Sequence, residues 1–186
     1  MKIRSFISLE LPLSLKHELY EQSKFIAGND KRQKIRWLLP ENYHLTLIFL
    51  GDVDTARLSG LQFALESKLA STKAIPCKIS EITLFPFSRS AKIVAALLER
   101  TAELLKLQSD VANCVRSCGI SVECRRFVPH VTLGRLKSHS GKAVNFQPLT
   151  IFFEGEANAV TLYQSQLTPD GAIHTALADV PLQTML

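Results

Sequence analysis

The chain has 186 residues (20.7 kDa), is 46% hydrophobic and 21% charged with 8 Gly and 8 Pro, and carries no run approaching twenty apolar residues. These values exclude a disordered chain, a collagenous one and a helical membrane span, and predict one compact domain over residues 1–186. The formal net charge of +5 and a sequence pI near 9.1 favour an anionic partner.

Ile3 to Leu9 alternates apolar with polar residues and predicts a strand. Pro12 and Ser14 open a stretch in which Leu15, Leu19, Gln22 and Ile26 recur at helical spacing until Gly28. Residues 43–50 are apolar and β-rich and predict a strand ending at Gly51-Asp52, after which Leu58, Leu61, Leu65 and Leu69 mark a second helix. Runs at Ile79–Phe85 and Lys92–Leu98, joined through Pro86 and Ser88–Ser90, predict an antiparallel pair. Thr101 to Cys118 reads as a helix with Gly119 as its stop. Strand signals return at 130–136, around 149–153 and in Val160–Leu167, which Thr168-Pro169-Asp170-Gly171 links to Ala172–Leu177 as a hairpin.

The N-terminal alternation soon meets Glu10, unlike a signal peptide's continuous apolar region, so a cytoplasmic location is expected. Cys77, Cys114, Cys118 and Cys124 are too few for a disulfide scaffold and are expected to be free thiols. Basic residues cluster twice. Lys31, Arg32, Lys34 and Arg36 crowd one segment, where a solvated face and an anion-binding face are equally consistent with the pattern. Arg125, Arg126, Arg135, Lys137 and Lys142 fall in a second segment without Asp or Glu, where phosphate attraction is favoured because of what that segment surrounds.

It surrounds one copy of a repeated word. His44-Leu45-Thr46-Leu47 and His130-Val131-Thr132-Leu133 carry the same pattern, one in each half of the chain. On a strand, residues i and i+2 emerge on one face, so each copy sets an imidazole beside a hydroxyl while its apolar residues enter the opposite layer. Two such strands facing one groove suit a phosphodiester. One neutral imidazole takes a proton from water and the other, protonated, gives one to the leaving oxygen, because His titrates near neutrality. The Thr hydroxyls donate to the non-bridging oxygens. This chemistry calls for no metal and no cofactor, and it predicts a bell-shaped pH profile with limbs within about two units of 6.5.

A single His flanked by Leu is more often a hydrogen-bonded, half-buried residue than a catalyst; the pairing is what favours chemistry. The cysteine spacings match no zinc finger or ribbon, and no acid lies near His130. His17, His139 and His174 stand outside the repeated word, and solvent exposure or local bonding is expected of each. Gly-rich phosphate loops, dinucleotide fingerprints and nucleophile elbows are all absent from the sequence.

The two H-[LV]-T-L words resemble the paired H-x-T-x motifs of the two-histidine phosphoesterases, and specifically the RNA 2′,3′-cyclic phosphodiesterases (LigT-like proteins, also called 2′-5′ RNA ligases). Arg4-Ser5-Phe6-Ile7-Ser8-Leu9 is similar to that family's opening strand; Trp37 and Asn42-Tyr43 precede the first motif, and Phe49-Leu50-Gly51 follows it. Arg125, Phe127 and Pro129 precede the second motif in register, Arg135 follows it, and Leu162-Tyr163-Gln164-Ser165 closes the resemblance. His174 departs from it, standing where an aromatic residue is expected. The resemblance implies an α+β fold of two pseudo-symmetric lobes, each an antiparallel sheet backed by helices, around a central cleft. It implies hydrolysis of a terminal 2′,3′-cyclic phosphate on RNA to a 2′-phosphomonoester, with reversible 2′-5′ ligation of tRNA halves in some members. By position His44 would be the proton donor and His130 the acceptor, with Thr46, Thr132, Arg135, Arg125 and Phe127 binding substrate. The partner expected is RNA with a cyclic phosphate end, tRNA fragments included, met by a monomer with no obligate protein partner and no membrane. Two other readings stay open at this point: a phosphodiesterase acting on a small cyclic phosphate or cyclic nucleotide, and a non-catalytic RNA binder.

Overall fold

The computed structural model describes residues 1–30, 33–86, 91–122, 126–137, 146–169 and 171–184. Along the chain run β1 (Lys2–Glu10), α1 (Leu13–Asn29), β2 (Ile35–Trp37), a 3-10 turn (Pro40–Asn42), β3 (His44–Asp54), α2 (Thr55–Leu69), β4 (Ile75–Phe85), β5 (Ile93–Leu98), α3 (Ala102–Ser117), β6 (His130–Leu136), β7 (Leu149–Ala157), β8 (Ala159–Thr168) and β9 (Gly171–Pro181). Local chemistry sets several of these ends. The Asp54 carboxylate accepts from the Ala56 amide and the Thr101 hydroxyl from that of Leu104, opening α2 and α3, and Gly119, at φ +68, follows α3.

The strands form one antiparallel sheet in the order β7-β4-β5-β6-β3-β1-β8-β9, with β2 added to β6. Its two halves, β3-β1-β8-β9 and β7-β4-β5-β6, are laid out alike: α1 lies between the neighbouring strands β1 and β3, and α3 between β5 and β6. The two expected lobes are therefore halves of a continuous sheet, joined where Leu45 on β3 pairs with Val131 on β6. β6 offers the rest of that edge to β2, from Gly134 to Leu136.

The helices cross between halves. α1 packs on β7, β6 and β2, whereas α2 and α3 pack on each other and against β3, with β9 under α2 and β4 under α3. A Cβ on Gly155 of β7 would sit 2.9 Å from Pro12 and 3.0 Å from Leu15, so the missing side chain is what lets α1 lie so close. One hydrophobic cluster fills the interior and includes Leu15, Leu19, Leu45, Leu61, Leu65, Leu104, Val131 and Leu133.

Five strands depart from what the sequence predicts. The strand expected to stop at Gly51 continues to Asp54, because Ser5 pairs with Gly51 and Phe6 with Phe49, leaving Leu50 as a bulge beside Gly51 at φ +68. β2 was not expected. β4, β7 and β9 run longer than their apolar patterns. Cys77 and Cys114 are buried free thiols and Cys118 is half-buried, while Cys124 lies outside the described residues. Among the described residues no helix is long and apolar enough to cross a membrane.

Candidate active site

Both copies of the repeated word sit on strands next to the seam. His44, Thr46, His130 and Thr132 are half-buried, while the residues between and beyond them, Leu45, Leu47, Val131 and Leu133, are almost wholly buried. The Leu45–Val131 pair sets His44 opposite Thr132 and Thr46 opposite His130 when the antiparallel register is carried one residue each way. The two imidazoles are then diagonal neighbours, a relation spanning about 7–8 Å between backbones. All four line one cleft of about 650 Å³ together with Arg135 and His174.

β3 enters the site under tight control. Tyr43, immediately before His44, is fully buried, and its hydroxyl meets the Ser23 hydroxyl at 3.0 Å, tying the strand to α1. The His44 ring stacks on Phe6 at 5.0 Å, and Phe6 stacks in turn on Tyr163 at 5.2 Å. His174 stands edge-on to His44 at 5.4 Å and to Phe6 at 4.9 Å. On the other side of the seam the His130 ring stacks on Phe85 at 4.5 Å.

Each imidazole is held by the backbone carbonyl two residues earlier, His44 by Asn42 and His130 by Val128. For His130 the contact runs from Nδ1 at 2.8 Å. A carbonyl only accepts, so in the neutral ring Nδ1 carries the hydrogen and Nε2 is the basic nitrogen. Burial pushes His44 down to about 3, and the nearby positive charges of His174 and Lys16 add to it against the opposing pull of the Asn42 carbonyl. Burial also lowers His130, opposed by the Val128 carbonyl. His174 is lowered by burial and then by Arg135. These surroundings favour the neutral rings, and an anion is what would restore a proton to one of them.

Behind His44 lies a polar layer. Glu10, its cross-strand neighbour on β1, accepts from the Ser8 hydroxyl at 2.8 Å and from Lys16 at 3.3 Å. Burial, followed by the Glu10 charge, pushes the Tyr163 phenol up to about 12, so it stays protonated and donates to Glu10. Among the described residues no group of three or more His, Cys, Asp and Glu is arranged to hold a metal ion.

The structure thus brings His44, Thr46, His130, Thr132 and Arg135 into one cleft. Phe127 is not part of it and packs against the hydrophobic core instead. Arg125 and His139 lie outside the described residues. His17 is exposed on α1, but His174 overturns the expectation of exposure or local bonding: it lines the cleft, and its Nδ1 is buried without a partner among the described residues. Phe6, Phe85 and His174 shape the site although the sequence reading gave them no part in it. The sequence does carry their period-2 spacing, but nothing in it shows that β1, β4 and β9 bring those rings against the two motif strands.

A family model described as LigT like Phosphoesterase matches residues 9–94 and 98–174. Among curated proteins, the chain is 29% identical to an RNA 2′,3′-cyclic phosphodiesterase of Thermotoga maritima, covering 94% of this chain and 93% of that one. It is 32% identical over 152 residues to a protein of the same name from Aquifex aeolicus, covering 77% and 80%. Among solved structures it is similar to the Thermus thermophilus protein TT0787, with TM-score 0.85 and 22% identity over 98% of this chain and 99% of that one. It is also similar to E. coli LigT complexed with 3′-AMP, with TM-score 0.78 and 22% identity over 98% and 99%. The two solved structures share the fold, and the family match spans both motif strands. The chain belongs to the LigT-like phosphoesterase family.

Proposed function

We propose that the protein is an RNA 2′,3′-cyclic phosphodiesterase that opens a terminal cyclic phosphate to a 2′-phosphomonoester by His/His general acid–base catalysis, with residues 1–186 acting as one bilobal unit. The observation that carries this reading is the seam: two imidazoles, each with its own Thr hydroxyl two residues on, stand across the Leu45–Val131 pair in one cleft. The curated relatives' shared name supports RNA as the carrier of the cyclic phosphate.

In the proposed step Nε2 of His130 accepts a proton from water as the water oxygen forms its bond to phosphorus. The bond from phosphorus to the 3′ oxygen breaks, and that oxygen takes the proton held by His44, leaving a free 3′-hydroxyl and the phosphate on the 2′ oxygen. The polarity follows the family resemblance, and it requires that the substrate return to His44 the proton that burial disfavours there. The anionic phosphate offsets the burial that disfavours the imidazolium. Thr46, Thr132 and Arg135 donate to the non-bridging oxygens, where charge builds up in the transition state.

The test is incubation with an oligonucleotide and a mononucleotide, each ending in a 2′,3′-cyclic phosphate, with the product identified by chromatography or NMR. A 2′-phosphomonoester is expected. A 3′-phosphate as the main product would reverse the assigned roles while keeping the two-histidine mechanism, and turnover of the mononucleotide alone would favour a small cyclic phosphate as substrate.

A further inference from the structure

The basic segments around Arg36 and Arg135 are far apart in sequence and adjacent on the sheet. β2 pairs with β6 so that Arg36 faces Arg135. The Lys137 amide donates to the Lys34 carbonyl at 2.8 Å, which carries the same register one step further to Lys34 and Lys137. Directly opposed residues share a face of an antiparallel pair, and so do residues two apart along a strand. Arg36 and Arg135 therefore share one face of a two-stranded ribbon, and Lys34 and Lys137 continue the paired backbone just beyond the strand ends.

The alternate positions anchor it. Ile35 is buried, and Trp37 and Leu136 pack against the hydrophobic core. A Cβ on Gly134 would come within 2.7 Å of Ile35 and 3.2 Å of Trp37, so β2 is seated hard against β6. The ribbon begins at the cleft, which Arg135 lines with His130 and Thr132. From the Arg pair to the Lys pair is about 7 Å along the strands, on the order of one nucleotide step.

Like charges set directly opposite each other weaken a sheet. Here the Arg36 charge bears on Arg135, and among the described residues no carboxylate forms an ion pair with either guanidinium. Asp30, the acid at the head of β2, spends its carboxylate on the Ile35 amide at 3.0 Å. An arrangement that costs stability and continues out of an anion-binding cleft has its reason in a ligand with repeated negative charge.

We propose that the face of β2 and β6 carrying Arg36 and Arg135, continued by Lys34 and Lys137 just beyond the strand ends, is a docking track for the phosphate backbone of single-stranded RNA, occupied by the nucleotides that lead away from the reactive end in the cleft. The assignment rests on the phosphodiesterase reading and deepens it by giving the strand behind the reactive end a path over the surface. Arg135 lines the cleft as well as the track, while Arg36, Lys34 and Lys137 are not among the residues that line the cleft.

The test compares the wild type with a Lys34→Gln/Arg36→Gln double variant and a separate Lys137→Gln variant, all checked by melting temperature to be no less stable than the wild type. Binding of a labelled twelve-nucleotide RNA bearing a 3′-phosphate is followed by fluorescence anisotropy across a salt series, and turnover of a mononucleotide 2′,3′-cyclic phosphate is measured alongside. The double variant should bind the oligonucleotide at least about tenfold more weakly at low salt, with the slope of log affinity against log salt reduced by about 1.4, from about 0.7 per charge removed. Lys137→Gln should reduce the slope by about half as much, and mononucleotide turnover should stay at the wild-type level throughout. Unchanged oligonucleotide affinity and slope would overturn the track. A rise in mononucleotide KM equal to the loss of oligonucleotide affinity would overturn it too, by making Arg36 part of the reaction cleft. The binding arm reads the track whether or not turnover occurs, so an absence of all cyclic-phosphate hydrolysis would count against the proposed function and not against this surface.

Discussion

Leu45 faces Val131 across the centre of the sheet, both wholly buried, and through this pair β3 meets β6. The flanking positions on either side of it are the two histidines and the two threonines. Leu45→Ala is expected to cost about 2–5 kcal/mol by leaving a cavity at the seam. It should also lower kcat in the fraction that remains folded, because the cavity loosens the register that sets His44 against Thr132. Urea denaturation gives the first value and turnover well below the unfolding midpoint gives the second. A wild-type kcat in the stable fraction would mean that the seam does not set the geometry of the cleft.

His44→Ala and His130→Ala should each lower turnover by at least about 10²-fold with the fold intact. Thr46→Ala and Thr132→Ala should be milder, about 1–3 kcal/mol of transition-state stabilisation each, because Arg135 still attracts the phosphate. Single-turnover rates with circular dichroism as a fold check decide the matter, and a histidine variant with a near-normal rate would remove that residue from the mechanism.

The pH profile of kcat/KM reports the free enzyme. The sequence alone suggests limbs within about two units of 6.5, but burial takes His44 beyond that range, to about 3, and also lowers His130. Both limbs of kcat/KM are therefore expected below 6.5, with those of kcat higher because the bound phosphate favours the imidazolium. His174→Phe preserves the ring packing and removes a positive neighbour of His44, so the imidazole titration of His44, followed by NMR, should move upward. No movement would show that His174 does not tune it.

Stability should depend on pH through the same rings. His44, His130 and His174 have folded-state pKa values below the ordinary 6.5, so as pH falls through 6.5 the unfolded chain takes up protons that the folded chain refuses. The contribution is complete above about pH 7 and is lost progressively toward the His44 value of about 3. The lowered carboxyls of Asp54 and Asp110 act in the same direction, but only below the normal carboxylate pKa near 4. Melting temperatures between pH 7 and 5 thus read these histidines rather than Asp54 and Asp110, and His44→Gln should flatten the slope in that interval.

Exhaustive EDTA treatment should leave the rate unchanged, since the described residues offer no cluster of metal-ligand side chains beside the two imidazoles. Loss of rate, restored by a divalent ion, would replace the metal-free reading.

The helices, the motif strands and the final hairpin were legible because each rests on local periodicity or turn chemistry: Leu58, Leu61, Leu65 and Leu69 can only face one way on a helix, and the histidine words alternate cleanly. What escaped depends on distant partners. β2 is three residues long and exists because β6 leaves an edge open, so no pattern within Ile35–Trp37 announces it. Gly51 reads as a stop until its partner strand shows a bulge. His174 looks like any hairpin residue until β9 is laid beside β8 and its ring meets Phe6 and His44.

The order of the strands also sets when the site can exist. The His44 wall contains β1 and β3 from the start of the chain and β8 and β9 from its end, with the whole His130 half between them in sequence. On the ribosome, residues 2–54 emerge early but lack the strand that brings Tyr163 under Phe6 until β8 follows, more than a hundred residues later. The half that starts first is finished last. A nascent chain therefore presents the β8-facing edge of β1 unpaired through most of its synthesis, and the reactive cleft closes only as the last strands add on.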